Sequence, residues 1–431
     1  MIGNTRKYAQ YDEEVCEYTH PSGLKVQIIP KPGYYKKFAM FSVNYGSVDA
    51  RFIVPGETDV TEVPDGVAHF LEHKLFDQKD GNVLDMFVAL GASPNAFTSF
   101  TKTSYYFTCT EKFDECFKLL LNFVQNPYLT PESVEKEKGI IGQEIKMYQD
   151  NADWVSIMNL FGLMYHTHPI KKEIAGTIET IAKIDADILY KCHKTFYHPS
   201  NMVVTVVGDV DPQKVADMVM DLILIKTPSS EIKRVFDTEP LEVSGKSKVQ
   251  KMTVSAPMFN IGFKDNFSST NSADKVLHEV AATILKEMIF GLSSELYEEL
   301  YNLGLINQSF SADYDMDTSF AMATVGGKSP NPDAVKNHII SKIIHFKNDG
   351  LNQEDFTRIR NSSAGKFLKK FNSVEFLGKM SSSAYFQGVD IFDYFDAYGK
   401  ITFEDILPVF NDIYIESRMS ISIVIPDKEE S

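Results

Sequence analysis

Gly66-Val67-Ala68-His69-Phe70-Leu71-Glu72-His73 places two imidazoles and a carboxylate within five residues. On a helix, positions i and i+4 share a face and i+3 lies beside them. His69 and His73 then converge on one spot, with Glu72 at its edge. Two neutral imidazoles meeting this way are the beginning of a zinc site. A carboxylate beside them that is not needed as a ligand is placed to take a proton from an attacking water. The order His-x-x-Glu-His inverts the His-Glu-x-x-His helix of many metalloproteases. Pro64-Asp65 reads as the helix start, with Asp65 as N-cap, and Val67, Phe70, Leu71 and Leu75 supply an apolar face.

A catalytic zinc site needs three protein ligands and one open position. The helix offers two, so the third must come from elsewhere in the chain. Thr130-Pro131 opens another helix, with Thr130 as N-cap and Pro131 at the first helical position. On it, Glu137 and Glu144 stand two turns apart and share a face. Ile140, Ile141 and Ile145 mark the helix as packed against others. Glu144 is the candidate third ligand. The competing reading is a solvated acidic face balanced by Lys136, Lys138 and Lys146.

Composition narrows the function classes. A chain of 431 residues exceeds one ordinary core, and its 43% hydrophobic content is that of a globular protein. The net charge of -16, with no basic block to offset it, argues against nucleic-acid binding. No apolar run reaches the length of a membrane span. The N-terminus, Met1-Ile2-Gly3-Asn4-Thr5-Arg6-Lys7, lacks the apolar core of a signal peptide. Cys16, Cys109, Cys116 and Cys192 are scattered, without a Cys-x-x-Cys pair, as in a reducing compartment. The expectation is a cytoplasmic protein with no nucleic-acid or membrane partner.

Outward from the motif, 24–31 and 38–45 read as strands, 83–90 as a helix ending at Gly91, and 103–110 as a strand. Helices are expected at 112–125, 153–166 and 185–197, and a β-rich run at 201–207. His166 and His168 fall in a loop before Gly176, and His193 and His198 flank a helix end. All four read as structural. Residues 229–249, with Pro228-Ser229-Ser230, Glu239-Pro240 and Ser244-Gly245-Lys246-Ser247, form a linker. The second half repeats the first in outline, with strands at 258–264, 307–314 and 318–326 and helices at 272–290, 294–302, 332–348 and 353–371. It has no second His-x-x-Glu-His.

Taken together, these stretches resemble the pitrilysin/insulinase superfamily of zinc peptidases, nearest its mitochondrial processing peptidase-like bacterial members. The resemblance covers nearly the whole chain. Gly66 to Phe76 carries most of it. Gly46-Ser47, Asn95-Ala96-Phe97-Thr98, Glu137 with Glu144, His168-Pro169, Gly176-Thr177 and Gly208-Asp209-Val210 agree in order. It implies an α+β fold of two homologous halves, residues 1–228 and 250–431. Each is a mixed, largely antiparallel sheet covered by helices on one side. It implies one Zn2+ per chain on His69, His73 and Glu144, with Glu72 as general base and Glu137 supporting the ligands. Asn95 and Ala96 match the edge strand on which a peptide substrate is added as a further strand inside a chamber.

One departure matters. Family members carry, in the second half, an Arg and then a Tyr that anchor substrate. Here the matching segment is Leu300-Tyr301-Asn302-Leu303-Gly304-Leu305-Ile306-Asn307, with Tyr301 and Asn307 in those places. The resemblance therefore implies a homologous non-zinc subunit that supplies the anchor, or a homodimer. The leading expectation is a zinc endopeptidase for short or unstructured peptides, including leader peptides. The alternative is a non-proteolytic structural subunit of a larger assembly.

Overall fold

The computed structural model describes residues 2–427. The chain gathers into two compact units built from interleaved segments. The first takes residues up to Ile145, Lys172–Phe236 and Lys370–Phe386. The second takes Lys146–Lys171, Asp237–Lys369 and the chain from Gln387. Each unit is organised by one mixed, largely antiparallel sheet with helices packed on it.

The sheet of the first unit has seven strands, in the order Ile2–Tyr8, Glu13–Thr19, Lys25–Pro30, Met202–Gly208, Lys37–Val43, Thr103–Cys109, Ser93–Thr98. Its one parallel pair is Lys25–Pro30 with Met202–Gly208. Met202–Gly208 is buried along its whole length, which is why it reads as a continuous apolar run without alternation. At the far edge, Ser93–Thr98 pairs, among the described residues, only with Thr103–Cys109, placing Ala96 opposite Tyr105 and Asn95 opposite Tyr106. The helices Val67–Leu75 and Phe113–Gln125 cover one face through Phe70, Leu71, Phe117 and Leu120.

The other face is covered too, contrary to the expectation of helices on one side only. Lys37–Val43 is buried on both faces, and Phe38, Met40 and Ser42 point away from the motif helix. Helix Val374–Gln387 packs there. Its Ser382 Oγ donates to Ser42 Oγ at 2.7 Å, and Ser104 Oγ donates to the same oxygen at 2.9 Å. Small hydroxyl side chains let helix and sheet approach closely.

The second sheet has the order Ser247–Met252, Met419–Pro426, Met258–Asp265, Ala321–Lys328, Ser311–Met316, again with one parallel pair. These five match the last five strands of the first sheet in order and direction, so the weak repeat in sequence is a full repeat in topology. Several boundaries differ from expectation. The strand Ser247–Met252 begins inside the end of the expected linker, at residues 247–249. The strands expected at 307–314 and 318–326 lie at Ser311–Met316 and Ala321–Lys328. Asn307 Oδ1 holds Ser309 N at 2.9 Å in a turn, which delays the first of them. The hairpin Ile2–Tyr8/Glu13–Thr19 and the helix Pro212–Leu222 were not anticipated. Among the described residues, no helix is long and apolar enough to cross a membrane.

Candidate metal centre

The motif helix spans Val67–Leu75, and Gly66 rather than Asp65 is its N-cap. Asp65 instead accepts from Lys172 Nζ at 3.0 Å. Gly66 has φ +99°, and a Cβ there would lie 2.6 Å from Ala175 O. Gly176, at φ +74°, would in turn place a Cβ 2.4 Å from Asp65 O. Two glycines thus abut and seat the start of the helix against the turn at Gly176-Thr177. That contact gives Gly176-Thr177 a structural role the sequence did not disclose.

The acidic helix Pro131–Asp150 brings the third group. Thr130 caps it as expected, its Oγ1 accepting from Ser133 N at 3.2 Å. Glu137, Ile141 and Ile145 are buried on it, whereas Ile140 is half exposed, so the packed face is narrower than three isoleucines suggested. Glu144 reaches both imidazoles: Oε1 lies 3.6 Å from His69 Nε2 and Oε2 lies 3.4 Å from His73 Nε2. His73 Nδ1 donates to Glu137 Oε1 at 3.0 Å. That bond fixes the ring and turns the Nε2 lone pair toward Glu144 and His69. His69 Nδ1 is buried and has no such partner among the described residues, so His73 is the more firmly oriented of the two.

The donor set fits a zinc ion. One ligand atom from each of His69, His73 and Glu144 lies within 4.8 Å of the others. Four atoms arranged tetrahedrally about 2.0–2.1 Å from an ion stand about 3.3–3.4 Å apart, close to the two imidazole–carboxylate distances. The electrostatics agree with a cation at this point. Burial pulls the His73 imidazole down, but its hydrogen bonds to Glu137 and Glu144 and the charge of Glu72 outweigh burial and push its pKa up to about 10. His69 first, and then His73, hold the Glu144 carboxyl well below the usual carboxylate range. The site attracts positive charge, and a dication can supply it in place of protons.

Glu72 is buried at the edge of this group and makes no contact with it as a ligand. Its Oε2 accepts from Thr98 Oγ1 at 2.7 Å. Thr98 also lies 3.4 Å from Thr103 Oγ1, which donates to Tyr45 O at 2.9 Å. The last residue of the edge strand therefore steers the carboxylate. Thr98 was visible in sequence only as part of a motif, because its contact with Glu72 depends on the strand lying beside the helix.

Asn95 and Ala96 stand on the edge strand, whose outer side pairs with no other strand among the described residues. Asn95 Oδ1 accepts from Ala96 N at 2.8 Å. His193 donates through Nε2 to Val124 O at 3.0 Å, and His198 Nδ1 meets Ser200 Oγ at 2.8 Å. In the second unit, Tyr301 is half exposed and stacks on Tyr297, and Asn307 is held in its own turn by Ser309.

Comparison with known proteins places this geometry. The description "Insulinase (Peptidase family M16)" fits residues 56–178, and "Peptidase M16 inactive domain" fits residues 183–363. The uncharacterized zinc protease YmfH of Bacillus subtilis is 39% identical over 422 residues, 97% of this chain and 98% of that one. The chain belongs to the M16 peptidase family. Its fold matches the crystal structure of an M16-like peptidase from Alicyclobacillus acidocaldarius with a TM-score of 0.92, at 33% identity over 99% of each chain. The mitochondrial-processing peptidase subunit beta of Caenorhabditis elegans is 31% identical over 172 residues, 39% of this chain and 38% of that one. In this M16 chain the insulinase description spans His69, Glu72, His73, Glu137 and Glu144 together.

Proposed function

We propose that this chain is a zinc-dependent endopeptidase and the catalytic member of a pair. It hydrolyses short or unstructured peptides that add as a strand to the edge Ser93–Thr98. The carrying observation is the convergence of His69, His73 and Glu144, with Glu72 held beside them by Thr98. His69, His73 and Glu144 hold the ion and Glu137 orients His73. Zinc, when bound, supplies Lewis acidity that lowers the pKa of water to about 7 and polarises the scissile carbonyl. Glu72 takes the proton from the attacking water through Oε1, which no described residue engages, and passes it to the leaving amine. Asn95 and Ala96 offer backbone groups to the peptide, so recognition depends on an extended chain more than on its side chains.

Tyr301 and Asn307 stand where relatives anchor substrate, and a homologous subunit without zinc supplies the missing Arg and Tyr; a homodimer is the other arrangement. The stretch shared with the C. elegans subunit supports kinship with processing peptidases and leader peptides as substrates. Four buried cysteines without disulfides support a reducing, cytoplasmic setting. A second reading, a non-proteolytic structural subunit, draws on the same two substituted positions and on the "inactive domain" description of residues 183–363.

One experiment separates them. Zinc content and peptide cleavage are measured on the wild type and Glu72→Gln, each alone and mixed with the protein encoded beside it. The expected result is equal zinc in both, with kcat/KM lower by about a thousandfold in Glu72→Gln. Activity only in the mixture supports the pair. Zinc without cleavage in every mixture supports the structural subunit.

A further inference from the structure

Resting on the strand-addition reading above, the surroundings of the edge strand indicate which peptides it selects. Successive side chains of Ser93–Thr98 point to opposite faces. Thr98 points to the face with Glu72, and Phe97 points to the other. Phe97 lies opposite Ser104, and its ring is 6.3 Å from that of Tyr106. Two ammonium groups flank this pair of rings. Lys379, on helix Val374–Gln387, has its Nζ 5.9 Å from the Phe97 centroid and 4.5 Å from the Tyr106 centroid, and donates to Tyr106 OH at 3.2 Å. Lys102 Nζ lies 5.9 Å from the Phe97 centroid and donates to Ser383 Oγ.

Lys379 is half-buried and has no carboxylate within ion-pair distance among the described residues. In a chain of net charge -16, a half-buried ammonium that settles on aromatic faces in place of a carboxylate is conspicuous. Residues directly opposite in an antiparallel pair have Cβ atoms about 4.5–5.5 Å apart on the same face. A peptide residue opposite Phe97 therefore projects to the face of the sheet on which Lys102 and Lys379 lie.

We infer that Lys379, with Lys102, is a specificity determinant that selects peptides carrying an Asp or Glu opposite Phe97, on the face away from the metal ligands. The occupant is an acidic side chain of the substrate. Its carboxylate meets two ammonium groups, and its stem lies on the Phe97 ring. A Lys or Arg there meets like charge. The overall negative charge of the molecule opposes acidic peptides at long range, but salt screens that term beyond about 8–10 Å, and the local pair decides.

The test uses the full-length zinc-loaded chain, alone and mixed with its neighbour-encoded protein. A set of peptides carries Glu, Gln or Lys in turn at each position around the cleaved bond, and cleavage is read by mass spectrometry. One position should favour Glu over Lys about fivefold in kcat/KM. Lys379→Gln should erase that preference and Lys379→Glu should reverse it, with the cleaved bond unchanged. The same peptides, labelled, are titrated onto Glu72→Gln and followed by fluorescence anisotropy, which reads docking without turnover. If no peptide is cleaved but the Glu peptide still binds more tightly and Lys379→Glu reverses the order, the peptidase reading falls and the specificity stands. Equal handling of Glu and Lys at every position, or a Glu preference that survives Lys379→Glu, overturns the proposal.

Discussion

The two sheets of this protein hold the same strands in the same order, yet each treats a histidine and a carboxylate differently. In the first unit, His73 gives Nδ1 to Glu137 and points Nε2 at His69 and Glu144. In the second, His278 on helix Ser272–Phe290 gives Nε2 to Asp265 Oδ2 at 2.7 Å, at the end of the strand matching Lys37–Val43. Asp265 also accepts from Tyr314 OH at 2.7 Å and from Phe267 N at 3.0 Å, while the Phe267 ring stacks on His278 at 3.8 Å. That arrangement is closed, because His278 Nε2, Tyr314 OH and Phe267 N all donate to the one carboxylate of Asp265. The first arrangement is open, because its best-directed lone pairs meet at one point with no donor between them. Fold does not decide which occurs. The residue types beyond the immediate pair do, as Glu137 turns a ring outward and Tyr314 seals one in.

The comparison breaks most visibly at His278. Replacing it with Asn leaves Asp265 buried without its principal partner and should cost about 3 kcal/mol in urea unfolding. Zinc content and activity per folded molecule should not change. If they fell while stability held, the second arrangement would have to be functional. Glu137→Gln sharpens the other side. It keeps the shape but weakens the acceptor behind His73, so zinc affinity should drop about 10–100-fold in chelator competition, with little loss of fold. Unaltered affinity would show that Glu137 plays no part in orienting the ligand.

At neutral pH the smallest effect belongs to histidines outside both arrangements. Burial pushes the His193 and His168 imidazoles down to about 4. Between the ordinary value of 6.5 and about 4, the unfolded chain binds protons there that the folded chain refuses. Stability is therefore full above pH 6.5 and declines as pH falls toward 4. Each of the two residues should contribute on the order of 3 kcal/mol to that decline by pH 4. His193→Gln, which can still donate to Val124 O, should flatten the acid limb by its own share in pH-dependent urea titrations. An unchanged slope would show that His193 titrates without cost.

Much of the site was legible because local periodicity carries it. His69, Glu72 and His73 share one helix and Glu137 and Glu144 another, as spacing within each stretch indicates. What spacing cannot carry is the meeting of distant segments. Thr98 reaches Glu72 only because the edge strand lies beside the motif helix. The abutting Gly66 and Gly176 are likewise silent in sequence. The strands that escaped notice, Glu13–Thr19 and Ser247–Met252, are polar along one side and outlying in their sheets, so their alternation is weak. Helix Val374–Gln387 belongs by sequence to one repeat and by packing to the sheet of the other, an assignment no local pattern reveals.

That borrowed helix also sets a schedule. All seven strands of the first sheet have been synthesised by Gly208, but the helix covering Phe38, Met40 and Ser42 is not complete until Gln387. At ribosomal rates the wait is on the order of ten seconds. During it, a face destined for burial stays wet on a nascent chain. A message truncated before residue 370 would make that exposure permanent, so the cell must either shelter this protein while it is being made or finish it.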